Sequence, residues 1–221
     1  MKKIVFITIL MSAINIFSQR ISISHIESRI VTNEGVEFIG NLKDKNSSDI
    51  YTYDGWDNES IIYVDKKGYL LSNINFNTIS NNFESRISRE KYFTYKNVFI
   101  DSVKIRGHVF KKVNNAFYEV LLDKNENTLL KKHDVEYKAG IVNRLDGKVG
   151  KSKVYSIYKY MIKLGDKMET IELNKKSINN FFNDDSELVD FVKQQHLSYK
   201  KEKDLIRILD FMFDKKNGIT K

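Results

Sequence analysis

The sequence predicts an α+β protein, an antiparallel β-rich domain followed by a short C-terminal helical hairpin. Three observations carry this reading. Short runs mixing β-branched and aromatic residues, separated by polar turns, fill the chain from about Ile21 to Leu173. Asp65-Lys66-Lys67-Gly68 and Leu164-Gly165-Asp166-Lys167 have hairpin-turn composition, which favours neighbouring antiparallel strands over a strand–helix alternation. After Asn174 the apolar spacing becomes helical.

The first element is an export signal. Lys2 and Lys3 precede the apolar stretch Ile4 to Leu10, and Ser18 supplies a small residue before a cut expected ahead of Gln19. That stretch is shorter than the ~20 apolar residues needed to span a bilayer. The expected organisation is a signal peptide over 1–18, an antiparallel β domain over 19–174, and a helical segment over 175–221 docked on it.

Strands are expected at Ser60 to Val64, Tyr69 to Phe76, Asn97 to Ile100, Val103 to Ile105 and His108 to Lys111. Ala116 to Leu122, Asn127 to Lys132, Val154 to Ile162 and Met168 to Leu173 continue the series. Gly40 to Asp49 and Val142 to Ser152 are polar enough to read as loops. In the tail, Ser177 to Phe182 suggests a turn or two of helix. Asp184-x-x-Glu187 resembles a capping box ahead of Leu188, Val189, Phe191 and Val192. Leu205, Ile208, Leu209 and Met212 then repeat at helical spacing, with acids near the start of that helix and Lys215 and Lys216 near its end.

Composition narrows the function. There is no cysteine, so disulfides and a lipid-bearing cysteine are both excluded. The net charge is +8, but acids and bases mingle, as in Lys200-Lys201-Glu202-Lys203-Asp204. A nucleic-acid protein would gather its cations on one face, so no such partner is expected.

Two motif-like stretches fail on geometry. Gly147 to Ser152 resembles a phosphate loop, but Leu145 stands where the backbone needs glycine to turn its amides toward phosphate. Asp123 to Asp134 resembles a calcium loop, but Thr128 replaces the turn glycine and Asp134 the bidentate glutamate. A hairpin turn is the better reading. The four histidines, His25, His108, His133 and His196, show no metal-ligand spacing, so no metal or other cofactor is expected.

One cluster has binding chemistry. Tyr51 to Glu59 interleaves aromatic rings with carboxylates and amides, the groups that stack on sugars and bond to their hydroxyls. The ligand-binding candidates are Tyr53, Asp54, Trp56 and Asp57. A lone tryptophan beside a strand is ordinarily a core anchor, and packing is the first expectation for Trp56. No catalytic set emerges.

Three blocks carry a family resemblance: Tyr51 to Trp56 ahead of a hairpin; Phe117-Tyr118-Glu119-Val120-Leu121 followed by Thr128 to Lys132; and Lys175-Lys176-Ser177 with Phe191-Val192-Lys193 and Lys201 to Ile206. In their order and spacing the chain resembles a family of exported proteins of Gram-negative bacteria with AT-rich genomes. The resemblance covers about Tyr51 to Met212 and implies no activity, ligand or residue role. Where such proteins turn simply on glycine after the strand at Phe117, this chain has the longer turn Asp123 to Glu126.

The expected function is therefore a structural or binding role in the periplasm or at the outer membrane, with an envelope polymer or envelope protein as partner and no transmembrane span. The alternative from another class is a hydrolase of envelope polysaccharide or peptidoglycan, using carboxylates around Asp54, Asp57 and Glu59.

Overall fold

The computed structural model describes residues 28–31, 37–140, 149–165 and 167–216. The expected signal peptide and the polar loop before Val149 lie outside them. No helix among the described residues is long and apolar enough to cross a membrane.

The fold is α+β, built on two antiparallel sheets. The smaller joins β1 (Ser28–Val31), β2 (Glu37–Asp44), β7 (Lys91–Tyr95), β6 (Asn82–Arg86) and β5 (Ile74–Asn77), in that spatial order. The larger runs β13 (Lys167–Ile171), β12 (Lys153–Leu164), β11 (Asn127–Lys138), β10 (Ala116–Lys124), β9 (His108–Val113), β8 (Ser102–Ile105), β3 (Ser60–Val64) and β4 (Lys67–Leu71). Three helices close the chain: α1 (Lys175–Phe181), α2 (Ser186–Gln194) and α3 (Glu202–Lys216).

One face of the large sheet carries two separate cores. Phe110 and Phe117 meet Phe76, Phe83, Phe93 and Ile74 of the small sheet. Leu129, Ile162 and Ile171 meet Leu188, Val192, Leu205, Ile208, Leu209 and Phe213 of the helices. Short helices are marginal in water alone, so this packing is what holds them.

The hairpins turn where left-handed backbone is available. Asp65 and Lys66 have positive φ between β3 and β4, as do Asn125 and Glu126 between β10 and β11, so the calcium-like stretch is a hairpin turn. Lys67 and Gly68, expected in that turn, lie inside β4 instead.

Several boundaries differ from expectation. The run Tyr69 to Phe76 is two strands, β4 and β5, in different sheets; the chain breaks at Asn73, whose φ is 59°. Asn97 to Phe99 is a 3-10 turn, not a strand. The polar Gly40 to Asp49 starts in a strand, since β2 runs to Asp44. Gly40 is required there: a Cβ would lie 2.3 Å from the Thr94 carbonyl oxygen and 2.5 Å from the Phe93 ring. The cap of α2 is Asp185, one residue after the expected Asp184; it accepts from the amides of Glu187 and Leu188.

Candidate functional site

Between the two cores, where period-two alternation calls for apolar side chains, the large sheet places charge. Glu119 follows Phe117 on β10, and Lys131 and His133 follow Leu129 on β11. Glu119 and Lys131 are cross-strand partners, the last such pair between these strands in that direction. Beyond it β11 leaves β10. Asn81, in the turn between β5 and β6, takes the vacated position, accepting from the Phe117 amide at 2.7 Å and donating to its carbonyl at 3.1 Å.

The Glu119 carboxylate is the hub of this seam. Its Oε1 lies 2.6 Å from His108 Nδ1 and its Oε2 lies 2.7 Å from His133 Nε2. Lys131 Nζ stands 3.4 Å from the same Oε2 and 3.0 Å from Glu202 Oε2 at the start of α3. Tyr160 donates to Glu202 at 2.8 Å. Burial alone would raise the Glu119 pKa. The hydrogen bond from His133, the charge of Lys131 and the hydrogen bond from His108 outweigh it and hold the pKa at about 2. With the carboxylate ionised, both imidazoles donate to it. Burial likewise works against the Lys131 charge, but Glu202 and Glu119 raise its pKa above the ordinary lysine value.

The seam opens to solvent along one side. His108 is half exposed. The Tyr53 ring lies 6.1 Å from it, and the Arg106 guanidinium lies 5.5 Å from the Tyr53 ring centre. Burial and the Glu119 charge raise the Tyr53 pKa, against the opposing effect of Arg106. Glu119 holds His108 at Nδ1, leaving Nε2 as the other ring nitrogen, and a carboxylate on one imidazole nitrogen is the pairing of an acid–base dyad. Among the described residues nothing hydrogen-bonds to Nε2, and no group of three or more His, Asp or Glu side chains is placed to hold a metal ion.

The same network anchors a projecting element. β11 pairs with β12 over 127–138 and 153–164, whereas β10 accompanies β11 only through Lys131 and β13 accompanies β12 only from Tyr160. Residues 132–138 and 153–159 therefore form a two-stranded ribbon beyond the sheet. Tyr137, Val154 and Tyr158 are exposed on one face and Tyr155 on the other. Lysines lie over the rings: Lys131 is 4.4 Å from the Tyr158 centre and Lys138 5.1 Å from that of Tyr155. The root of the ribbon is fixed by His133, whose ring meets Tyr158 edge-on at 5.2 Å and packs on Phe76 and Phe110.

A second buried acid, Glu84, is also fully engaged. It accepts from Tyr51 at 2.7 Å, Asn77 at 3.2 Å and Thr94 at 3.3 Å, with Lys43 at 2.8 Å. Wide cavities lie elsewhere. One of about 490 Å³ is lined by Lys111, Asp123, Thr128 and Lys163, and an open one of about 700 Å³ by Tyr63, Lys66 and Asp101. Neither contains Glu119 or Glu84.

The four sequence candidates divide. Buried Asn75 donates to the Tyr53 and Gly55 carbonyls, pinning their loop to the small sheet. Tyr53 is thereby brought to the rim of the Glu119 seam, and the Asp54 carbonyl accepts from Arg106. Trp56 is buried, edge-on to Tyr51 at 4.7 Å and 5.0 Å from Tyr92, and serves packing. Asp57 is exposed, apart from both buried networks. Glu119, His108, Lys131 and His133 were not candidates. The one signal they leave in the sequence is a carboxylate at an inward-facing position between Phe117 and Leu121.

No family model matches the chain, and comparisons with curated proteins and with solved structures return no match.

Proposed function

We propose that the protein is exported, with the chain cut ahead of Gln19, and serves in the cell envelope as a non-catalytic binding or structural component. The projecting ribbon is its contact element, and an envelope polymer or envelope protein is its partner. One observation carries this reading: Tyr137, Val154 and Tyr158 stand together in solvent on an element rooted by a buried charge network. Two-stranded ribbons are marginal by themselves, and exposed rings on one are costly unless a partner covers them.

Co-sedimentation of the purified mature protein with isolated envelope fragments tests it. A Tyr137→Ser/Tyr158→Ser variant should stay in the supernatant while keeping the parent's circular dichroism spectrum, and equal sedimentation of the two would overturn the reading. N-terminal sequencing of the exported protein should begin at Gln19 or within a few residues.

A second reading, hydrolysis of envelope polysaccharide or peptidoglycan, has the His108–Glu119 dyad in its favour. Polymer turnover abolished by His108→Ala without loss of fold would select it.

A further inference from the structure

We infer that the outer edge of β12 over residues 153–159 takes an added β-strand from a partner protein, and that this segment is extended and acidic. The inference rests on the ribbon as the contact element and names what the contact is. β13 ends at Ile171 opposite Tyr160, so the edge of β12 beyond it has no strand beside it among the described residues. A free edge carries a row of unpaired amides and carbonyls and is a template for another chain. A strand laid there would continue the line of β13 for roughly 23 Å, at about 3.3 Å per residue.

The other edge of the ribbon is less open. On β11 the Val135 amide is already taken by Asp134 Oδ1 at 2.9 Å. The Asp134 carboxylate also holds Lys159 at 2.6 Å.

Charge selects the occupant. Over 153–159, β12 contains Lys153 and Lys159 and no acidic residue; Asp134 of β11 holds Lys159, and Lys153 has no ion-pair partner among the described residues. Lysines on an edge ordinarily discourage pairing between identical chains, and a second copy of this net-positive chain would meet like charge. Lys153 instead attracts an acidic strand. Tyr155 on one face and Val154 and Tyr158 on the other would flank the alternating side chains of that strand, while main-chain bonds supply the pairing.

The test uses the mature full chain and a synthetic Val-Glu-Val-Glu-Val-Glu-Val peptide, its lysine counterpart, and two versions N-methylated at the valines or at the glutamates. Binding is followed by fluorescence polarisation and by amide hydrogen exchange. The acidic peptide should bind, weaken steeply with salt, and protect amides within 153–159. One of the two methylated versions should lose binding, the lysine peptide should not bind, and Lys153→Glu should weaken the acidic peptide about tenfold. The inference is overturned if both methylated peptides bind like the parent, if protection falls outside 153–159, or if the acidic peptide fails at millimolar concentration. Failure of the peptide, with the Tyr137/Tyr158 variant still released from envelope fragments, would remove strand addition and leave envelope binding standing. If the ring variant sediments like the parent, envelope binding itself fails.

Discussion

His133 Nε2 and Glu119 Oε2 lie 2.7 Å apart, and this bond ties β11 to β10 two residues past the point where their ladder stops. The strand that leaves the sheet is thus held by a charged side-chain contact where backbone pairing has ended. The projecting ribbon begins at this bond.

That contact makes stability depend on acid. The folded Glu119 pKa of about 2 lies below its ordinary value of 4.5. Its contribution is present in full above that ordinary value and is lost as pH falls toward 2. The loss should be on the order of 2 kcal/mol once solvent screening is allowed for. Urea unfolding between pH 6 and pH 2.5 should show it as a falling midpoint, and Glu119→Gln should flatten that slope. A parallel decline in the variant would locate the acid sensitivity elsewhere.

The helical tail should unfold with the β domain. Leu209 is fully buried against the sheet, and Leu209→Asp should destabilise the protein by about 3–5 kcal/mol, the range for an uncompensated buried charge. Removing the α2 cap with Asp185→Ala should cost about 1 kcal/mol. Part of that loss comes from its contact with Lys215 at 2.7 Å. Circular dichroism melts should rank the two in this order.

Gly40→Ala tests the packing of β2 on β7. The added methyl meets a backbone oxygen that cannot rotate away, so the strands must part. A loss of roughly 1–3 kcal/mol is expected, the range for overpacking. A melting temperature unchanged from wild type would show that the two strands separate freely there.

Calcium, ATP and a chelator should leave the melting curve unchanged. Asp123, first in the calcium-like stretch, is bonded to Lys111 at 2.6 Å and accepts from Thr128 at 3.4 Å across a tight turn. A calcium-dependent rise of several degrees would mean that this turn opens to bind the ion, since a ligand of the native state must stabilise it.

The sequence by itself determined the class, most strands of the large sheet and the tail. Ile62, Val103 and Phe110 lie in runs whose alternation reaches the core intact, and Leu205, Ile208, Leu209 and Met212 share one helical face. Such periods are local and survive in a single chain. The small sheet was largely illegible because its strands break the pattern: β5 is buried on both faces, with Asn75 and Asn77 satisfied by side-chain bonds.

Tertiary structure alone decided the site. Of the four residues singled out, Tyr53 reaches the seam through Asn75, which lies well beyond any local window, and Trp56 turns to packing against Tyr92. His108, Glu119, Lys131 and Glu202 come from three strands and a helix, and no spacing rule links them. A buried carboxylate persists only where cations and donors converge on it in space, and that convergence is set by which strands pair and where their pairing ends.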